Sequence, residues 1–238
     1  MTASPPPPGG TPQLPLALRH PPEQRMDSYV GAPPGALEQL RALACGPGAD
    51  WLYLEGPPGS GKTHLGLAAC AEAGHAGRSA AYLPLRAAAG RLREALDALA
   101  GDLVVLDGLE AVAGDRDDEV ALFEFHNRAR AAGTGLLYLA AASPLALPLA
   151  LPDLRSRLGQ CTRIVLRPLD DDARRDVLRD RARRRGLVLE EAALDWLLTR
   201  TGRDLVQLLA LLERIDRESL AAQRRVTVPF LRGLLGAG

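Results

Sequence analysis

Lysine is nearly absent from this sequence, because 28 of its 29 basic residues are arginine and only Lys62 is lysine. A genome rich in G and C favours arginine codons, so the single exception marks a position that arginine does not suit. An ammonium group on a flexible stem fits between phosphate oxygens where a planar guanidinium clashes. We therefore expect Lys62 to contact phosphate.

Net charge, cysteines and long apolar runs are also scarce, and each absence excludes a class of protein. The formal net charge is zero, which argues against the broad positive field of a non-specific DNA-binding protein. The three cysteines have no metal-ligand spacing, so we expect reduced thiols in a cytoplasmic protein. The proline-rich start does not resemble a signal peptide, and no segment approaches the ~18 uncharged apolar residues of a membrane span. We expect no membrane contact.

The remaining patterns predict three regions along the chain. Residues 1–24 form a proline-rich tail, which we expect to be disordered. Residues 25–168 alternate short apolar runs with helical periodicity, which predicts a parallel five-stranded sheet with helices on both faces. Residues 169–238 carry helical periodicity alone and predict a small all-helical lid domain. The expected strands are 51–54, 79–84, 103–106, 135–140 and 162–166.

Residues 56–63 read GPPGSGKT and fit the phosphate-binding pattern G-x-x-x-x-G-K-[ST] without a mismatch. The loop follows an apolar strand and opens a helix, as phosphate binding requires, because loop amides and the helix N-terminus then face the anion. We predict that it binds ADP or ATP with Mg²⁺. The expected nucleotide-binding residues are Gly56, Pro57, Pro58, Gly59, Ser60, Gly61, Lys62, Thr63 and His64, of which His64 also suits a purely structural role.

A carboxylate is expected beside this loop, because Asp107 directly follows the apolar run 103–106. Thr63 and Asp107 are therefore the predicted Mg²⁺ residues. Nucleotide hydrolases of this class usually have a second acid next, and here Gly108 takes that place. Glu110 follows two residues later and would need an unusual backbone path to substitute. We expect the chain to bind nucleotide and to hydrolyse it poorly.

Two groups of arginines each have more than one interpretation. Arg155 and Arg157 lie in the segment 151–158, which we take to be extended, so that their side chains point to opposite sides. They are either an ordinary solvated pair, or one of them reaches the nucleotide of a neighbouring subunit. The arginines between 179 and 185 are either a solvated face or a contact for phosphate or a partner.

These features together resemble the DnaA-like AAA+ ATPase family over about residues 25–238. The resemblance rests on the run GKTHL at 61–65, the strand before Asp107, the segment 151–158 and the helical lid. Within that family the chain is most similar to the Hda group, the regulatory inactivators of DnaA, which share the sequence LPDLxSRL. That group also opens with a sliding-clamp motif, Q-L-x-L-x-L, which is matched here by Gln13, Leu14, Leu16 and Leu18. The DNA-binding domain that follows the lid in DnaA is not expected here.

The resemblance implies an AAA+ protein that negatively regulates the initiation of chromosome replication. Such an adapter docks on the DNA polymerase III sliding clamp and supplies an arginine finger, here Arg157, that triggers hydrolysis of DnaA-bound ATP. Its partners are DnaA and the clamp, DNA is contacted only indirectly through the clamp, and a homo-oligomer stays possible. Arg203 is a stand-in for the lid arginine expected at Val206, and Ala141 lies where a polar sensor is expected. With Gly108, these replacements predict negligible hydrolysis by the protein alone.

Other functions stay open at this point. One is a DNA-dependent AAA+ ATPase of the helicase-loader or transposition-helper type. Another is a structural module that only responds to nucleotide. The apolar residues 13–18 could likewise be a strap on the domain surface and not a clamp motif.

Overall fold

Five parallel strands form one sheet, in the order β2-β3-β4-β1-β5, in the computed structural model, which describes residues 25–200, 205–222 and 226–236. The strands are β1 (Leu52–Glu55), β2 (Ala80–Pro84), β3 (Leu103–Asp107), β4 (Gly135–Ala140) and β5 (Thr162–Val165). In register, Leu52 pairs with Leu137 of β4 on one side and with Thr162 of β5 on the other. The predicted parallel five-stranded sheet is confirmed, with strand bounds within one residue of those expected.

Helices connect the strands and continue after the last one. The first six are α1 (Ala36–Cys45), α2 (Lys62–His75), α3 (Leu85–Ala88), α4 (Leu92–Asp97), α5 (Arg116–Ala132) and α6 (Pro152–Gly159). The last four are α7 (Asp171–Arg184), α8 (Glu191–Arg200), α9 (Leu205–Ala222) and α10 (Val228–Leu235). The predicted helical lid is thus confirmed, whereas the exact domain boundaries after residues 24 and 168 stay predictions.

Both faces of the sheet are buried, because side chains alternate between the faces along each strand. On β3, Val104 and Leu106 pack into one apolar cluster, and Leu103 and Val105 into the other. Helices α4, α5 and α6 cover the first face, and α1 and α2 cover the second. Strand β1 is buried and lies between β4 and β5, so the loop that follows it has a rigid base.

Helix α2 lies unusually close to the sheet at Gly66. A Cβ atom on Gly66 would lie 2.7 Å from Cδ1 of Leu139 and 3.0 Å from Cγ1 of Val105. Those distances are shorter than ordinary van der Waals contacts, so a side chain there would push α2 outward. Gly66 therefore sets how closely the start of α2 approaches the carboxyl ends of the strands.

The expectation that residues 151–158 are extended is wrong, because α6 spans Pro152–Gly159. Pro152 takes the first helical turn, where its fixed φ suits a helix and its missing amide costs no hydrogen bond. Leu154 and Leu158 are both fully buried, and their spacing of four residues puts them on one helical face. Arg155 and Arg157 still diverge, since two residues in a helix turn by about 200°.

The lid is held by two small apolar clusters, one around Leu178 and Leu212 and one around Leu197 and Ile215. The arginines of α7 mostly face carboxylates. Their ion pairs include Arg175 with Asp195, Arg179 with Glu191, Arg183 and Arg184 with Asp180, and Arg185 with Glu213. Arg179, Arg183 and Arg184 thus form a charge-balanced outer face, whereas Arg181 and Arg185 are half-buried and line a cavity next to residues 58–64. No helix in the described ranges has the length and apolarity needed to cross a membrane.

Candidate functional site

The loop between β1 and α2 has the backbone that phosphate binding requires. Gly59 and Gly61 have φ angles of 77° and 85°, in the left-handed region that favours glycine. A Cβ on Gly56 would lie 2.6 Å from Oγ of Ser60, and one on Gly61 would lie 2.5 Å from the ring of Tyr29. The loop therefore stays tight and leads directly into the N-terminus of α2 at Lys62, whose dipole attracts anions.

Lys62 lies inside this loop. Its ammonium group donates hydrogen bonds to the carbonyl oxygens of Gly56 at 2.6 Å and Pro57 at 2.9 Å. Burial lowers the pKa of Lys62, and the nearby carboxylates of Glu110 and Asp107 oppose that shift. The ammonium thus lies within the predicted phosphate loop, and its contact with phosphate stays a prediction.

The two residues predicted to hold Mg²⁺ are in contact with each other. The Thr63 hydroxyl donates to Oδ2 of Asp107 at 2.6 Å, and the hydroxyl of Tyr82 donates to the same oxygen at 2.6 Å. Mg²⁺ commonly takes only one or two protein ligands and completes its shell with water and phosphate oxygens. A hydroxyl and a carboxylate beside a phosphate loop fit that donor set. Within the described residues there is no group of three or more His, Cys, Asp or Glu side chains suited to a metal.

Glu110 reaches the same site by the unusual backbone path that its position requires. Gly108 has φ 88° and ψ 54°, and a 3₁₀ turn (Leu109–Ala111) follows it. The turn brings the Glu110 carboxylate to the cavity wall, where its Oε2 accepts a hydrogen bond from the Ala141 amide at 2.9 Å. Glu110 was not among the predicted site residues, because only a left-handed glycine makes this path available.

A cavity of about 760 Å³ lies against the loop, and part of its wall comes from segments outside the predicted motifs. Its walls include Tyr29 and Val30 before α1, and Leu169 and Val177 near the start of the lid. Tyr29 also donates a hydrogen bond to the Ser60 carbonyl at 2.7 Å. Apolar walls beside a polar loop are typical of small-ligand sites. The volume and lining suit a nucleotide, with the base on the apolar side.

His64 joins three parts of the molecule. Its Nε2 lies 2.9 Å from the carbonyl oxygen of Arg25 and 3.3 Å from the Ser28 hydroxyl. Its Nδ1 lies 3.4 Å from the guanidinium of Arg181 on α7. Burial lowers the pKa of His64, and the charges of Arg181 and Arg184 lower it further, although the Arg25 carbonyl opposes them. A neutral, structural His64 at the cavity wall agrees with the second of the two roles considered for it.

Arg157 lies at the other end of β1. Its carbonyl oxygen accepts a hydrogen bond from the Cys161 thiol at 3.8 Å, directly before β5 begins beside Leu52, the first residue of β1. Its charge, after burial and Arg130, helps lower the pKa of the buried His126 to about 4. The His126 ring is 4.6 Å from the ring of Trp51, which precedes β1, whereas the phosphate loop follows it. Five residues of strand span roughly 16 Å. Arg157 is therefore remote from its own phosphate loop.

The two arginines of α6 have different surroundings. Arg155 is half-buried and donates a hydrogen bond to the Leu149 carbonyl oxygen, with its Nε buried. Arg157 is half-exposed, and its side chain makes no hydrogen bond or ion pair with any described residue. Arg155 is thus a structural residue, and Arg157 is the one available to a partner.

Several predicted residues cannot be placed. Arg203 lies between two described ranges, and the clamp-motif residues Gln13, Leu14, Leu16 and Leu18 precede the first one, which begins at residue 25. Their roles stay predictions.

Comparison with known proteins agrees with this geometry. Residues 171–235 match the family model described as Hda, lid domain. Domain III of the replication initiation protein DnaA from Thermotoga maritima superposes with a TM-score of 0.76 at 18% identity, covering 90% of this chain and 96% of that one. AMPPCP-bound DnaA from Aquifex aeolicus superposes with a TM-score of 0.67 at 20% identity, covering 83% and 66%. The Thermotoga maritima RuvB branch migration motor gives 0.64 at 18%, covering 91% and 72%.

These likenesses have different weight. The structural neighbours share less than a quarter of their residues with this chain, so they establish the fold, and the chain spans only 66% of the AMPPCP-bound DnaA. The lid match is specific to one family and falls on the helices α7 to α10. The match to the lid domain of Hda is thus confined to residues 171–235, and the structural neighbours show that the chain has a DnaA-type fold.

Proposed function

We propose that this protein is a nucleotide-bound adapter that negatively regulates the initiation of chromosome replication. It docks on the DNA polymerase III sliding clamp through residues 13–18 and presents Arg157 to ATP held by DnaA. One observation carries the proposal: Arg157 is a half-exposed cation, without a side-chain hydrogen bond or ion pair among the described residues, at the end of the sheet opposite its own phosphate loop. The Hda-type lid supports the choice of partner.

The nucleotide of the adapter itself has a structural role in this proposal. The loop amides and Lys62 bind the phosphates of ADP or ATP, while Tyr29 and Val30 enclose the base. Thr63 and Asp107 hold Mg²⁺, which neutralises phosphate charge when bound. Because the cavity is lined by both the loop and α7 residues such as Arg181, bound nucleotide stabilises the lid against the sheet domain.

Arg157 acts on a partner because it cannot reach its own nucleotide. A fixed guanidinium next to the γ-phosphoryl group stabilises the charge that develops on its oxygens in the transition state. Arginine fingers supplied in this way accelerate hydrolysis by roughly 10³–10⁵-fold. The unpaired state of Arg157 matters, because no local carboxylate has to be displaced before it binds phosphate.

The first prediction tests this role with two substitutions. Arg157→Ala should retain fold and nucleotide but lower the stimulation of DnaA ATP hydrolysis by at least about 100-fold. Arg157→Lys should recover little, because a point charge lacks the forked donor geometry. The measurement is single-turnover hydrolysis of DnaA-bound ATP in the presence of DNA-loaded clamp.

Arg155→Ala is the matched control on the same helix. It should lower the melting temperature, because the Leu149 carbonyl loses its donor, but the folded variant should still stimulate. If Arg155→Ala removes stimulation in the folded protein and Arg157→Ala does not, the finger is Arg155 and the proposal is wrong in that residue.

A second function, a DNA-dependent AAA+ ATPase, is favoured by one observation. Glu110 brings a carboxylate to the wall of the protein's own nucleotide cavity, where an acid can orient an attacking water. The RuvB similarity adds only the shared fold. DNA-stimulated ATP turnover by the protein alone, without DnaA, would favour this function over the adapter.

A further inference from the structure

A second arginine lies on the face that carries Arg157. Arg130, near the end of α5, is exposed, and its guanidinium lies 5.1 Å from the ring centroid of Trp51. Its side chain has no ion pair or hydrogen bond with any residue in the described ranges. Arg128, two positions earlier on the same helix and also exposed, is instead paired with Asp97 at 2.9 Å. Arg130 is thus held by an aromatic ring, and its charge is left uncompensated.

A buried stack fixes the ring beneath Arg130. The Trp51 ring meets the His126 ring edge-on at 4.6 Å and 83°. His126 is fully buried, and its Nδ1 is hydrogen-bonded to the Tyr138 hydroxyl at 2.9 Å. A guanidinium stacked on such a ring loses few conformations when it binds an anion, because the ring already orients it.

Both unpaired arginines lie around this stack. Arg130 lies over Trp51, whose ring contacts His126, and Trp51, Arg130 and Cys161 line one cavity. Helix α5 also packs directly against α6, and the Cys161 thiol donates to the Arg157 carbonyl at 3.8 Å. Trp51, Arg130 and Arg157 therefore lie at the same end of the sheet, where β1 and β5 begin, and these three residues are called the Arg157 face.

A shallow cavity of about 270 Å³ opens between Arg130, Trp51, Gln160 and Cys161. This volume lies below the range of drug-sized ligand pockets but admits a side chain. Asp50 also lines the cavity and is exposed, yet it forms no ion pair with Arg130. The cavity and its rim thus suit a negatively charged side chain from another protein.

We propose that Arg130, stacked on Trp51, binds an acidic side chain of the ATP-loaded partner whose phosphates Arg157 approaches. This inference rests on the proposed function and adds the residue that recognises the partner's protein surface. Two uncompensated cations repel each other, and a partner that presents a carboxylate beside its phosphates neutralises both. DNA is a poorer match, because the chain has no net positive charge and two cations do not make a phosphate-tracking groove.

The test compares Arg130→Gln with Arg128→Gln, since both remove one charge from exposed positions of α5. Binding of DnaA loaded with AMPPCP is followed by fluorescence anisotropy, so that the measurement does not depend on hydrolysis. We expect Arg130→Gln to weaken binding about tenfold and to reduce its salt dependence, and Arg128→Gln to behave like wild type. Trp51→Leu, which releases Arg130, should weaken binding in the same direction.

Hydrolysis separates this inference from the proposed function. With Arg130→Gln, the DnaA concentration for half-maximal stimulation should rise while the maximal rate is unchanged, whereas Arg157→Ala should lower the maximal rate. If Arg157→Ala loses stimulation of hydrolysis while Arg130→Gln and Arg128→Gln bind AMPPCP-loaded DnaA equally well, the inference about Arg130 is wrong and the proposed function stands. If Arg157→Ala stimulates hydrolysis as well as wild type, the proposed function is wrong. The anisotropy measurement then still shows whether Arg130 contributes to binding of DnaA. If Arg130→Gln loses binding to DNA and not to DnaA, the face recognises nucleic acid and the inference is wrong.

Discussion

Lys62 brings the one ammonium group of the chain to a loop whose glycines have already turned its backbone inward. Its two hydrogen bonds go to carbonyl oxygens of that loop, so the group is positioned before any phosphate arrives. The loop restricts space from the other side as well, because Tyr29 lies against Gly61. A wide, planar guanidinium would find little room between them.

Nucleotide affinity should therefore depend strongly on Lys62. Lys62→Ala removes the main counter-charge of the phosphates and should weaken ADP and ATP binding by at least about 100-fold, as isothermal titration calorimetry would measure. Lys62→Arg keeps the charge but changes its shape, and we expect it to recover only a small part. Equal dissociation constants for wild type and Lys62→Ala would show that the loop is not the nucleotide site.

Residues marked by a local motif could be predicted, and those supplied by distant segments could not. Gly61, Lys62 and Thr63 follow a contiguous pattern, and Asp107 was expected beside them from the end of an apolar strand. Tyr29 and Tyr82 contact the same site from other segments, and no spacing in the sequence connects them to it. Those contacts follow from how the segments pack.

The 3₁₀ turn after β3 is the element that would supply an acid for any ATP hydrolysis by the protein alone. It places Glu110 at the cavity wall, but one carboxylate oxygen accepts a hydrogen bond from the Ala141 amide. Position 141, where a polar sensor was expected, has only the methyl side chain of alanine. We expect turnover of ATP by the protein alone to stay well below about 1 per second. A phosphate-release assay would measure it, with Glu110→Gln as the diagnostic variant.

Two outcomes of that assay are informative. Slow turnover that is the same in wild type and Glu110→Gln means that Glu110 has no catalytic role. Turnover near 1 per second that falls with Glu110→Gln means that the turn supplies the acid missing at Gly108, against our expectation.

Helix α6 shows that the expected divergence of Arg155 and Arg157 rested on a wrong local structure. The segment was taken as extended, in which alternate residues face opposite ways. In the helix that forms, Arg155 and Arg157 also diverge, because each residue turns the chain by about 100°. The signals for the helix, Pro152 and the Leu154–Leu158 spacing, were present in the sequence. Eight residues give too few turns for periodicity alone to distinguish helix from strand.

At the scale of the whole molecule, stability should fall with acid through the buried His126. Its pKa in the folded protein is about 4, below the ordinary value of ~6.5. Between these values the unfolded chain binds a proton that the folded chain does not, so the free energy of unfolding decreases as the pH falls. The full contribution of His126 is about 3 kcal/mol, complete near neutral pH and lost toward pH 4.

Urea unfolding at pH 7 and pH 4.5 measures this contribution. The free energy of unfolding should decrease more in wild type than in His126→Gln, by about 2–3 kcal/mol, because other titrating groups are common to both. His75→Gln, at an exposed position, controls for the loss of a histidine as such. Equal pH dependence of wild type and His126→Gln would show that His126 does not stay neutral in the folded protein.

The hydrogen bond between His64 and the Arg25 carbonyl also limits the reach of everything that precedes residue 25. Leu18 lies seven residues before Arg25, and a fully extended chain of that length spans at most about 25 Å. Any protein that binds Leu18 therefore has its binding site within about 25 Å of Arg25, next to the nucleotide cavity. The Arg157 face lies at the other end of β1. A protein bound to the tail and a protein bound at Arg157 can therefore be bound at the same time.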